Sequence, residues 1–214
     1  VLEVLKAQNG DAPAGSLYKK LKPGPGHSAG AVRANQRVRL HGAMVEDVAD
    51  NGFDQVTVRG VSRLAGVSTG TFYKHFANTE VCLASTVDWV GCGALRRADQ
   101  GRWSRRLGED RVTSLLYSLL SDFAQQPKAT GVLLIGVFDG GFEARDQAGA
   151  FTISLELLIA ERLTEVRLPS PRLLTGAMAA MVTRVARQTT LADRGEELPE
   201  LADSLAAWLY SRAA

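Results

Sequence analysis

Between residues 57 and 75 the chain gathers groups suited to contact with a polyanion: Thr57, Val58 and Arg59, then Ser68, Thr69, Gly70, Thr71, Tyr73, Lys74 and His75. Hydroxyls and a lysine donate to phosphate oxygens, an arginine fork matches the O6/N7 edge of guanine, and a glycine lets backbone come close. No comparable gathering points to catalysis or metal. His27, His41 and His75 are scattered, and no metal spacing, Ser/His/Asp arrangement or phosphate-binding glycine loop after a strand is present in the sequence. The expectation is a protein that is not an enzyme, with no catalytic residues, no metal and no cofactor.

These groups need elements to hold them. Val38, Leu40, Met44, Val45, Val48 and Ala49 recur at helical spacing from Val32 onward, with Gly52 as a stop. Thr57 is placed to cap a short helix whose apolar side is Val58, Val61, Leu64 and Ala65. Gly66 breaks it, Val67 plugs inward, and Ser68 caps a further helix to about His75. Phe72 and Phe76, four apart, fasten that helix to its support and leave the polar groups outward. Two short helices around a tight glycine turn are the layout of a helix-turn-helix, whose second helix enters the major groove.

Read as a whole, the stretch RANQRVRLHGAMVEDVADNGFDQVTVRGVSRLAGVSTGTFYKHFANTEVCLA at residues 33–84 resembles the DNA-binding domain of the TetR (tetracycline-repressor-like) family. The matching core is Thr57-Val58, Ala65-Gly66-Val67-Ser68, Gly70-Thr71-Phe72-Tyr73 and His75-Phe76, followed by Glu80. The resemblance implies that Thr57 and the amides after it meet a phosphate at a helix N-terminus. It implies that Arg59 reads a base, that Thr69, Gly70 and Thr71 approach bases or backbone, and that Tyr73, Lys74 and His75 clamp phosphates. Two positions depart from the family: Gly60 lies inside a helix, where it costs about 1 kcal/mol against alanine, and Thr79 stands where a lysine is usual. The basic arm, through Lys20, Lys22, Arg33 or Arg37, is a substitute source of that contact. Tyr73 reads alternatively as a packing residue, and Arg63 as a cation solvating a helix face.

Charge and composition frame this head. Net charge is only +2, but residues 1–40 carry seven basic and two acidic groups. Such an arm reads equally as a phosphate partner or a solvated tail. No uncharged apolar run approaches membrane length, and no secretory start is visible, so no membrane partner is expected. Cys82 and Cys92 on one helix would stand about 15 Å apart in rise, too far for a bridge, which fits a reducing, cytoplasmic setting.

The fold expected is all-α: a flexible basic arm (1–31), a helix-turn-helix DNA-binding domain (32–78), and a helical bundle for effector binding and dimerisation (79–214). Helices are expected near 79–100, capped by Asn78 or Thr79, and near 109–126, 128–138, 142–167, 170–191 and 198–212. The run from Phe151 to Ile159 is apolar on nearly every side and reads as buried. The family resemblance implies a homodimer on a palindromic operator, placed on the helices near 170–191 and 198–212, and a small-molecule pocket. Trp89, Trp103, Tyr117, Phe123, Phe138, Phe142 and Phe151 are its candidate lining, and they suit a hydrophobic effector that releases a repressor from double-stranded DNA. The rival is a redox-responsive regulator acting through Cys82 or Cys92.

Overall fold

The computed structural model describes residues 28–101, 111–163 and 170–212, and among them every regular element is a helix, as expected. In chain order they are α1 (Ala29–Asn51), α2 (Val58–Ala65), α3 (Thr69–Tyr73), α4 (Thr79–Asp99), α5 (Arg111–Gln125), α6 (Pro127–Leu134), α7 (Gly141–Arg162), α8 (Pro171–Leu191) and α9 (Leu201–Tyr210). Short 3-10 turns occupy Phe53–Gln55, Gly136–Phe138 and Gly195–Glu200. Most of the basic arm and Trp103 lie outside the described residues.

The chain forms two compact units. The first holds the described residues up to Thr86 together with Gly136–Arg145, and the second holds Val87–Ile135 and the described residues from Asp146 onward.

In the first unit α1 is the support. Ser28 caps it by accepting from the Ala31 amide at 3.1 Å, and Gly52 closes it at φ 76°, a backbone setting that favours glycine. Leu40, Met44 and Val45 are fully buried, each contributing about 1.5–3 kcal/mol of apolar burial, whereas Ala49, expected on that face, is exposed. α2 packs on α1, and α3 on α2. Asn78 supplies the cap of α4, its Oδ1 accepting from the Val81 amide at 2.8 Å. Gly140 sits directly on Leu83 of α4, with no room for a β-carbon.

In the second unit α5 is the most enclosed helix, with Val112, Leu116, Leu119 and Leu120 fully buried. It packs against the Gly195–Glu200 turn and α9, while α6 packs on α8. One charge pair is built into this interior. Arg97 of α4 grips the buried Asp122 with both Nε (2.6 Å) and Nη2 (2.8 Å), and Gln126 donates to the same carboxylate at 3.0 Å.

Three sequence expectations change here. The helix expected over 128–138 stops at Leu134 and gives way to the Gly136–Phe138 turn. The last helix begins only at Leu201, after the 3-10 segment Gly195–Glu200 that contains Pro199. The apolar run 151–159 is not buried all round. Phe151, Leu155 and Ile159 form the inner stripe at i, i+4, i+8, while Ile153 and Leu157 are 60% and 61% exposed. A helix two turns long has two faces, and only one meets the core.

Candidate nucleic-acid interface

The reading head is built on capping hydrogen bonds that the sequence specifies locally. Thr57 is extended, and its Oγ1 accepts from the Gly60 amide at 3.0 Å, starting α2. Gly66 takes a left-handed backbone (φ 63°, ψ 38°) and ends it, with the Val67 amide returning to the Ser62 carbonyl at 2.9 Å. Ser68 then caps α3, accepting from the Thr71 amide at 3.1 Å and pairing with the Thr71 hydroxyl at 2.9 Å. Beyond Tyr73 the helical path continues for a turn, since the His75 and Phe76 amides both reach the Phe72 carbonyl.

Two residues that the sequence reading did not single out hold this turn in place. Arg39 of α1 is 2% exposed, and its Nη1 donates to the carbonyls of Ala65 at 2.7 Å and Gly66 at 3.4 Å. A buried cation thus closes the C-terminal end of α2, where the helix dipole favours it, and its burial lowers the guanidinium's pKa. Asp47 is the other. A β-carbon on Gly60 would come within 3.0 Å of its Oδ2 and 3.2 Å of Thr57 Oγ1, so the glycine inside α2 lets it pass close to that carboxylate. Neither contact has a local signal, because the partners lie 13 to 27 residues apart.

Phe72 and Phe76 are buried, with rings 5.8 Å apart, and His41 meets Phe76 edge-on at 5.5 Å. His41 is itself buried, and its Nδ1 lies 2.9 Å from Thr86 Oγ1. Because that hydroxyl donates to the Cys82 carbonyl at 2.7 Å, it accepts from Nδ1–H, which fixes the tautomer. Burial, then the charges of Arg37 and His75, push the His41 pKa down to about 3, so the ring is neutral near pH 7.

With the hydrophobic side fastened, the predicted contact residues are displayed as follows. Thr57, Arg59, Ser68, Thr69, Gly70, Tyr73 and Lys74 are exposed, and Val58, Thr71 and His75 are half-buried. Tyr73 stands 60% exposed with its ring edge-on to Phe72, and Arg63 is exposed. Thr57 uses a lone pair as a cap while keeping a hydroxyl proton to donate, and the Ser68–Thr71 hydroxyl pair shares one of its two protons internally.

The candidate effector residues are not gathered in the same way. Phe123 and Phe151 form a buried pair with ring centroids 6.2 Å apart, and Gly91 of α4 presses against Phe151. Trp89 and Tyr117 are half-buried in the same unit. Phe138 and Phe142 belong to the first unit and are 44% and 84% exposed; Phe142 follows the turn at Gly141, and Ala144 rather than the phenylalanine is buried there.

The cysteines give the redox reading little support. Burial raises the Cys82 thiol to about 12, and burial and Asp88 raise that of exposed Cys92, whose Sγ donates to Asp88 Oδ1 at 3.4 Å. A redox-responsive thiol is instead expected to be a low-pKa thiolate. Among the described residues no group of three or more His, Cys, Asp or Glu is arranged to hold a metal, and no helix is long and apolar enough to cross a membrane.

Comparison with known proteins places this geometry. Residues 45–86 match the family model of bacterial regulatory proteins, tetR family. Among solved structures, the chain is similar to the fatty acid degradation regulator FadR from Bacillus halodurans, with TM-score 0.68 at 18% identity, covering 88% of this chain and 96% of that one. FadR from Bacillus subtilis, in complex with stearoyl-CoA, gives TM-score 0.68 at 20% identity over 80% and 96% of the two chains. A putative TetR-family regulator from Rhodococcus sp. gives 0.66 at 18% identity, over 85% and 100%. No match was found among curated proteins.

Proposed function

From the premise that residues 45–86 are a tetR-family regulatory domain, on a chain with the fold of TetR-family regulators, we propose that this protein is a transcriptional repressor. It binds a palindromic operator as a homodimer and releases it when a small hydrophobic effector enters the helical bundle. The observation that carries the reading is the α2–α3 pair, which turns Arg59, Thr69, Gly70, Tyr73 and Lys74 outward while Phe72 and Phe76 anchor it from behind.

In this reading Arg59 reads a base edge in the major groove, and Thr57, Tyr73, Lys74 and His75 hold phosphates on either side. The two heads of a dimer occupy successive major grooves of one duplex, about one helical turn apart. Dimerisation falls to α8 and α9. Exposed apolar groups of α8, Leu173 at 73% and Leu191 at 59%, are candidates for burial by a second copy. The arm of residues 1–31, the head and the bundle remain the working division of labour.

The effector site is assigned to the second unit, around Phe123 and Phe151. Stearoyl-CoA, the ligand of the Bacillus subtilis FadR structure, makes long-chain acyl-CoA the first effector class to test. A ligand that prefers a form with mismatched heads shifts the population away from the DNA-bound one.

The test is selection of duplexes from a random pool by the full chain, followed by fluorescence anisotropy of the winner with and without stearoyl-CoA. The reading expects a palindromic winner bound by two chains, and weakened binding on adding the acyl-CoA. Binding that is indifferent to acyl-CoA removes that effector class, and absence of any selected duplex removes the regulator reading itself.

A further inference from the structure

Beside the C-terminal end of α3 lies a half-open cleft of about 550 Å³, lined by Ala29, Val32, Arg33 and Gln36 of α1 and by Lys74 and His75. Among the described residues its polar lining is two cations, one imidazole and one neutral amide, with no carboxylate. It also opens beside the N-terminal end of the 23-residue α1, the positive pole of that helix. A cleft furnished this way favours an anion, and it has ample room for a phosphate group.

The imidazole is held in a defined state. His75 Nε2 lies 3.3 Å from Gln36 Oε1, and an amide oxygen only accepts, so Nε2 carries the proton and a second one goes to Nδ1. That second proton is unwelcome in the unliganded head. Burial lowers the His75 pKa first, and Arg37 and Arg33 lower it further. Arg37 is turned away from the cleft, its guanidinium 5.6 Å from the Phe76 ring centre and its Nη2 donating to Ser85 at 3.0 Å. His41, on the other side, stays neutral. The charges acting on His75 are those of Arg37 and Arg33 from α1, with Gln36 its hydrogen-bond partner, His41 neutral nearby and Lys74 beside it on its own segment.

We propose that this cleft takes one phosphate of the DNA backbone and that His75 gains a solvent proton as the phosphate enters, so that DNA affinity rises as pH falls. The inference rests on the DNA-binding reading above and adds Arg33 and Gln36 to its contact set. The sign follows from linkage. A phosphate's negative charge offsets the repulsion from Arg33 and Arg37, so the pKa of His75 is higher in the complex than in the free head. Affinity is then independent of pH above the complex's value and increases below it. The rise is limited to about tenfold per pH unit for each head.

A phosphate contact is independent of sequence, so the test needs no operator. Binding of the full chain to a random duplex of about 30 base pairs is measured by anisotropy at low constant salt, from about pH 8 to about pH 6. The wild type is expected to tighten on acidification, and His75→Gln, which keeps a neutral amide opposite Gln36, is expected to bind with a much flatter profile. Arg33→Gln is expected to reduce the slope of log affinity against log salt by about 0.9. The same substitution should raise the pKa of His75 in the free protein, read from its imidazole resonance, which a merely structural role would not do.

An undiminished pH profile in His75→Gln, or a His75 resonance that does not move on adding duplex, overturns the proposal while leaving DNA binding intact. If inorganic phosphate shifts that resonance but the cleft variants leave duplex binding unchanged, the cleft is a free-anion site and the DNA assignment fails. Absence of duplex binding at every pH overturns the DNA-binding reading as well.

Discussion

Gly60 offers a case in which two local rules give opposite signs. An alanine inside a helix is favoured over glycine by about 1 kcal/mol, so Gly60→Ala should stabilise α2 if propensity alone decides. The new β-carbon, however, would lie 3.0 Å from Asp47 Oδ2 and 3.2 Å from Thr57 Oγ1. Asp47 is buried and its Oδ1 already holds Asn51 Nδ2 at 2.9 Å, so moving the carboxylate forces an off-rotamer side chain, at about 0.5–1.5 kcal/mol. Disturbing Thr57 puts at risk a cap worth about 1 kcal/mol. Set against the gain, these costs leave Gly60→Ala between a gain of about 0.5 and a loss of about 1.5 kcal/mol, well short of the full helical gain. In an Asp47→Ala background the main obstacle is gone and the helical gain should return, giving a coupling energy of about 1 kcal/mol in the double-mutant cycle. Native-state hydrogen exchange at the α2 amides, Val61 among them, reads the difference. If Gly60→Ala stabilises α2 equally in both backgrounds, the close approach of α1 and α2 is not a constraint and the reasoning fails.

Further outcomes are expected in both units. Arg39→Met should destabilise the α2–α3 turn by about 1–3 kcal/mol, since it leaves the Ala65 carbonyl without its donor; faster exchange of the Gly66 and Val67 amides would show it. His41 is neutral when folded, with a pKa of about 3, and ordinary when unfolded, so the unfolded state binds the extra proton between those values. Stability of the first unit should fall by up to about 1.4 kcal/mol per pH unit as pH drops below about 6.5, and His41→Gln should flatten denaturation midpoints over that window. Thiol titration at neutral pH should label Cys92 slowly and leave Cys82 unlabelled until denaturant is added, with Cys92→Ser keeping full DNA binding. Replacing Leu173 and Leu191 by glutamate should weaken self-association in sedimentation and, with it, the affinity for a palindromic duplex.

The parts of the head that were legible in the sequence are those whose chemistry is local. Thr57, Gly66 and Ser68 act within four residues of themselves, and residue type alone announces a cap or a left-handed turn. Phe72 and Phe76 reveal themselves through helical spacing. What stayed hidden depends on partners distant in sequence. Arg39 looks like one more cation of a basic arm until its contact 26 residues away is seen, and Gly60 looks like a defect until Asp47 is opposite it. In the second unit the run 151–159 interleaves Thr152, Ser154 and Glu156 with leucines and isoleucines on both faces, so only packing separates buried Leu155 from exposed Leu157. Aromatic content alone likewise did not distinguish the buried Phe123–Phe151 pair from the exposed Phe142.

The central claim is that residues 57–75 read duplex DNA through Arg59 with phosphate support from Tyr73. It is tested most directly by anisotropy of the selected duplex against a scrambled one, for wild type, Arg59→Ala and Tyr73→Phe at matched salt. The account predicts that Arg59→Ala loses about 1–3 kcal/mol of discrimination between the two duplexes. Tyr73→Phe should weaken both to a similar extent, because a phosphate contact carries no sequence information. Unchanged affinity and discrimination in both variants, with the wild type binding normally, would contradict it.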